Sequence, residues 1–155
     1  MSKRLLITLL LPLSLCACQR SPPPVAATPA PAQEDVRAEV DGIVVEARVM
    51  PAIHLNADIA RRHAIERADD VQLLLVTLRD RAGDAVATDG LVVTATASVL
   101  PDAPAPVALK RVETDGMADL IATYRAPPPG LVLWKIDARR GHARAQFGLT
   151  YALSN

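Results

Sequence analysis

The sequence predicts an all-β protein, a two-sheet β-sandwich of about seven strands with one short helix after the first strand. Three observations carry that prediction. Past residue 39 the apolar residues recur with period two, as they do in strands with one buried face. Turn-forming residues interrupt them at intervals of roughly 8 to 12 positions. The stretch 39–155 is long enough for one hydrophobic core, and its length is close to that of an immunoglobulin-like sandwich.

The elements follow in order. Ile43, Val45, Ala47 and Val49 alternate with Glu46 and Arg48 and give the first strand. Asn56 then opens a helix. Its side chain can cap free amides, and Asp58 sits near the positive end of the helix dipole. Ile59 with His63, and Ala60 with Ala64, make an i, i+4 stripe, and the helix is expected to end near Glu66. Val71 to Leu78 is apolar on both faces, as a central strand should be. Asp80 to Asp84 is a turn. Leu91, Val93, Ala95, Ala97 and Val99 alternate with Thr94, Thr96 and Ser98.

The segment Pro101 to Pro106 is expected to be a loop, because proline cannot donate to a ladder. Val107 to Glu113 and Met117 to Arg125 flank Asp115-Gly116, a hairpin signal because both turn residues tolerate positive φ. Pro127-Pro128-Pro129-Gly130 makes the next connection. Val132, Trp134, Ile136 and Ala138 point one way, Lys135 and Asp137 the other. In the last strand Ala143, Ala145, Phe147, Leu149, Tyr151 and Leu153 share one face. Trp134 and Tyr124 are read as core anchors between the sheets.

Two segments precede this domain. Met1-Ser2-Lys3-Arg4 is positive, and the apolar run Leu5–Leu15 is too short to span a bilayer. Residues 1–17 therefore read as a secretory signal. Leu15-Cys16-Ala17-Cys18 has the form of a lipobox: a small residue before the cut, then a cysteine whose thiol accepts the lipid. Cys18 is the expected lipidation site, since bulky Leu15 would sit just before a cut at Cys16. Acyl chains worth about 0.8 kcal/mol per buried CH₂ would anchor the protein durably. Cleavage there leaves a mature chain with no other cysteine, which suits an oxidising compartment. Gln19 follows the cysteine. The usual retention signal there is aspartate, so the expectation is a bacterial cell envelope protein, lipid-anchored in the outer membrane and facing the periplasm. Residues 18–38 are rich in proline and alanine and read as a disordered tether. In polyproline II such a segment reaches about 60 Å.

Composition narrows the function. Removing the signal leaves 15 basic and 17 acidic residues, a net charge of −2. No basic patch is available to neutralise phosphates, which argues against nucleic acid. Tyr124, Trp134, Phe147 and Tyr151 are the whole aromatic complement, too few for a sugar or base platform. No nucleophile–base pair can be named: past the tether the serines are Ser98 and Ser154, and neither sits in a Gly-x-Ser-x-Gly turn. Asp69 and Asp70 are adjacent and point apart in extended chain, unlike the facing carboxylates of a glycosidase. The chain is therefore read as not an enzyme, with no small-molecule substrate and no cofactor.

For metal, Met50, His54 and His63 are the weak candidates. Soft copper ligands normally come in groups, and the sequence has no His-x-Met pair and no His-x-x-x-His. The simpler reading packs His63 on the helix and uses Met50 to fill a gap. The remaining surface of interest is Ile53–Asp70, the least regular and most charged part, with His54, Asn56, Arg61, Arg62, Asp69 and Asp70 as partner-contact candidates. Arg61 and Arg62 also complement the C-terminal helix dipole without any partner.

Three stretches together resemble a family of small exported proteobacterial proteins, a domain of unknown function with an immunoglobulin-like β-sandwich. They are Val44 to Glu66 with Arg61-Arg62-His63-Ala64-Ile65, Val71 to Asp80 with Gly83, and Leu109-Lys110-Arg111-Val112-Glu113 through Ala122-Thr123-Tyr124. The resemblance implies the fold and no activity. The lipobox and tether look like additions to the simple exported form. The expectation is a non-catalytic protein-interaction module engaging another envelope protein. The alternative is periplasmic copper binding or a chaperone-like accessory role.

Overall fold

A computed structural model describes residues 36–153, within one compact unit. The signal segment, Cys18 and the tether as far as residue 35 lie outside the described residues. The fold is the expected all-β, immunoglobulin-like sandwich of two antiparallel sheets. Sheet one has the order β1 (Val36–Val40), β2 (Ile43–Pro51), β3 (Val71–Arg79), β7 (Met117–Arg125), β6 (Lys110–Thr114). Sheet two has the order β5 (Ala105–Val107), β4 (Leu91–Val99), β8 (Gly130–Arg140), β9 (Ala143–Leu153).

Nine strands are present among the described residues where the sequence pattern predicts about seven. The first addition is β1. It begins at Val36, inside the stretch read as tether, so the helix follows the second strand rather than the first. Asp41 and Gly42 both take positive φ and turn β1 into β2, as Asp115 and Gly116 do between β6 and β7. The second addition is β5. Pro106 lies opposite Thr96 in a three-residue pairing with β4, inside the segment expected to be loop. An edge strand tolerates proline because one side of it faces no partner. The expected strand from Val107 to Glu113 is in fact two, broken at Ala108-Leu109, where the chain crosses from sheet two to sheet one.

The inward-facing residues match the alternation. Ile43, Val45, Ala47 and Val49 meet Leu74, Val76 and Leu78 on one side and Val132, Trp134, Ile136 and Ala138 on the other. Tyr124 of sheet one and Trp134 of sheet two meet edge-to-face with ring centroids 5.9 Å apart, which ties the sheets together. On one side of the sandwich the edge strands β1 and β9 lie beside each other.

Candidate functional site

The connection from Pro51 to Val71 folds over the outer face of sheet one. It contains a 3₁₀ turn (Ala52–His54) and helix α1 (Ala57–His63). Its coverage is read from parity. Leu74, Val76 and Leu78 point into the core, so Val71, Leu73 and Leu75 point outward, with Ile121 paired to Leu75. Val71, Leu73 and Ile121 are nevertheless buried, as are Ala52 and Ala60 of the segment.

Asn56 caps the helix as expected: its Oδ1 accepts from Asp58 N at 2.8 Å. The helix ends at His63 rather than near Glu66, because Ala64 takes a left-handed conformation at φ 57°. That turn lets Ile65 N donate to Ala60 O at 2.8 Å and brings the chain back down to the sheet. Of the expected stripe, Ala60 is buried and His63 half-buried, whereas Ile59 faces solvent at 44% exposure.

Polar contacts hold the C-terminal half of the segment to sheet one and tie its two ends to each other. Arg125, at the end of β7, donates to Glu66 at 2.6 Å and also pairs with Asp70. These contacts raise the guanidinium pKa further above its ordinary value. Ala126 N donates to Asp70 O at 2.8 Å, Arg67 Nη2 to Ile53 O at 2.8 Å, and Lys110 Nζ to His63 O at 3.4 Å. Arg125 is not among the residues the sequence singles out, since only the register of β3 against β7 places it next to Val71 and hence near Asp70.

The candidate contact residues divide by use. Asn56 caps α1, Arg61 pairs with Asp58 at 2.5 Å, and Asp70 anchors the segment to β7. His54, Arg62 and Asp69 are exposed and make no side-chain hydrogen bond or ion pair among the described residues. The three metal candidates fall on three elements: Met50 half-buried on β2, His54 in the 3₁₀ turn and His63 at the end of α1. Among the described residues no three His, Cys, Asp or Glu side chains group to hold a metal ion.

Sheet two presents a different outer face. Asp137 receives hydrogen bonds from Arg144 and, at 2.5 Å, from Gln146 Nε2, with Arg139 Nε 3.2 Å away. The Arg144 hydrogen bond, more than the others, holds its carboxyl pKa below the usual range. Beside it is a shallow groove of about 540 Å³ lined by Thr94, Thr96, Lys135, Asp137, Gln146 and Gly148.

This arrangement defines the class: an immunoglobulin-like sandwich with one face covered by a pinned helical segment. The chain belongs to the family of domains of unknown function DUF4426, whose model matches residues 37–153. A solved member of that family from Pseudomonas aeruginosa is similar in fold, with a TM-score of 0.61 and 15% sequence identity over 77% of this chain and 94% of that one. FetP of uropathogenic Escherichia coli strain F11, produced in the periplasm, aligns with a TM-score of 0.52 and 9% identity over 79% of this chain and 97% of its own. A copper-bound variant of Campylobacter jejuni P19 aligns with a TM-score of 0.48 and 9% identity over 76% of this chain and 94% of its own. A search of curated proteins finds no match. No helix among the described residues is long and apolar enough to cross a membrane.

Proposed function

We propose that this protein is a non-catalytic interaction module of the bacterial cell envelope, lipid-anchored at Cys18 and held off the outer membrane by its proline-rich tether. In this reading the Ile53–Asp70 segment docks a second envelope protein on the periplasmic side. The observation that carries it is Ile59. An aliphatic side chain 44% exposed stands one turn from exposed Arg62 and the half-buried imidazole of His63. The helix beneath is short, yet Lys110 holds its C-terminal end, and contacts at Ile53, Arg67 and Asp70 hold the chain on either side of it. Ordering a surface in advance lowers the entropy lost on binding. Copper handling is the weaker reading, because its candidate donors Met50, His54 and His63 sit on three different elements.

The test is cross-linking in cells with a photoreactive residue at position 59. A specific envelope protein should be captured, and Arg62→Glu should abolish its capture. Capture of bulk membrane proteins alone, unchanged by Arg62→Glu, overturns the docking surface. Cys18→Ala should move the protein from the membrane to the soluble fraction; continued membrane association overturns the anchor.

A further inference from the structure

On the side of the sandwich away from β1 and β9, the two sheets part. Strand β4 pairs with β8 along all nine of its residues, but β5 covers only Ala95–Ala97. Among the described residues, the edge of β4 away from β8 therefore has no strand beside it from Leu91 to Thr94. Across the gap lies β6, an edge strand of the other sheet. Between them is a cleft of about 330 Å³, lined by Leu78, Leu91, Val93, Leu109 and Leu120 with Thr88 and Arg111 at its polar end. That volume lies at the lower end of the roughly 300–1,000 Å³ typical of small-ligand sites, and an apolar lining with few polar groups is their usual chemistry.

Arg111 is the unusual member. Opposite Leu120 in the β6–β7 register, it sits on the core-facing side of the sheet. Its Nη1 donates to Thr88 Oγ1 at 2.8 Å and its Nε to Glu113 Oε1 at 3.2 Å; Nη2 makes no hydrogen bond or ion pair among the described residues. The Glu113 contact joins two half-exposed side chains, a kind of pair worth little in water. A ligand oxygen can thus reach the guanidinium without a large loss. A guanidinium fork matches a planar carboxylate.

We propose that this cleft binds an aliphatic monocarboxylate, its chain lying against Leu109, Leu120 and Val93 and its carboxylate held by Arg111 and Thr88. The site is separate from the α1 surface and stands independently of the docking reading. An inward charge on an edge strand can also serve only to deter edge-to-edge association, and the experiment separates the two roles.

The full chain carrying Cys18→Ala, purified without detergent, is titrated with decanoate and with decanol while the methyl resonances of Leu78, Leu109, Leu120 and Val93 are followed. Saturable shifts confined to these methyls are expected, with decanoate bound about tenfold or more tighter than decanol, the worth of one charge-assisted hydrogen bond. Arg111→Gln should remove that preference, and Leu109→Trp should fill the cleft and abolish both. If Arg111→Gln does not fold, Thr88→Val supplies the readout by weakening decanoate alone. No methyl shifts up to the solubility limit, or equal binding of acid and alcohol by the unsubstituted cleft, overturns the proposal.

Discussion

Sheet one buries the part of its outer face around β3 while sheet two leaves its own in water, and the difference begins in β3 and β8. In β3 both parities are aliphatic from Val71 to Leu75 apart from Gln72, so the strand needs cover on both sides. The 52–70 segment supplies it, and Arg125 at the end of the neighbouring strand holds that segment by two carboxylates. In β8 only one parity is consistently apolar. Lys135, Asp137 and Arg139 take the other, and Asp137 Oδ2 accepts laterally from Arg144 and Gln146 of β9. One sheet solves its outer face by burial and the other by a ladder of polar cross-strand contacts. Irregular chain, and with it the candidate contact surface, occurs where burial is the solution.

The largest test of this difference truncates an aliphatic residue on each outer face. Leu73→Ala removes a buried side chain beneath the covering segment, and a loss of about 2–5 kcal/mol is expected in chemical denaturation. The segment should also loosen, with faster tryptic cleavage at Arg61, Arg62 and Arg67. Leu131→Ala on the exposed face of sheet two should stay within about 0.5 kcal/mol. Equal losses at both positions would mean that 52–70 does not shield sheet one.

Much of this fold is legible in the amino-acid sequence. The central strand, the inward rows of β2, β8 and β9, the Asn56 cap and the Asp115-Gly116 hairpin follow from period and turn chemistry. The features that the pattern does not reveal have a common cause. The strand β1 contributes Ala38 and Val40 inward but sits beside a proline-rich stretch, so local composition masks it. The strand β5 contains Pro106, which only an edge position allows. The early end of α1 at Ala64 has no glycine to announce it. Arg125 and Arg111 acquire their surroundings from strand register and sheet crossing, which depend on residues far away in sequence. The candidate site is legible as a location, the charged break between two strands, but the division of its side chains into anchors and free groups is not.

A smaller effect is expected at Gly148, on the solvated face. A Cβ there would lie 2.9 Å from the backbone oxygen of Trp134, a group that cannot swing aside. Gly148→Ala should therefore force β8 and β9 apart and cost about 1–3 kcal/mol, the range for overpacking. The tryptophan fluorescence of Trp134 should report the shift. An unchanged melting temperature would show that sheet two accommodates the change freely.

The smallest expected effect concerns the polar ladder itself. Arg144, then Gln146, favours the charged form of Asp137 and depresses its pKa in the folded protein. A carboxylate with a depressed folded pKa stabilises the fold above its unfolded value of about 3.9 and loses that contribution as pH falls through the folded value. Asp137→Asn should accordingly lower the melting temperature at neutral pH, and the gap to the unsubstituted protein should close below about pH 4. Added salt should narrow it too, because exposed ion pairs are screened. The covered face gives a contrast in the same experiment: Leu73→Ala removes no charge, so its deficit should persist through that acid range. A gap for Asp137→Asn that is constant with pH would place its role in hydrogen-bond geometry rather than charge, and would weaken the distinction drawn between the two faces.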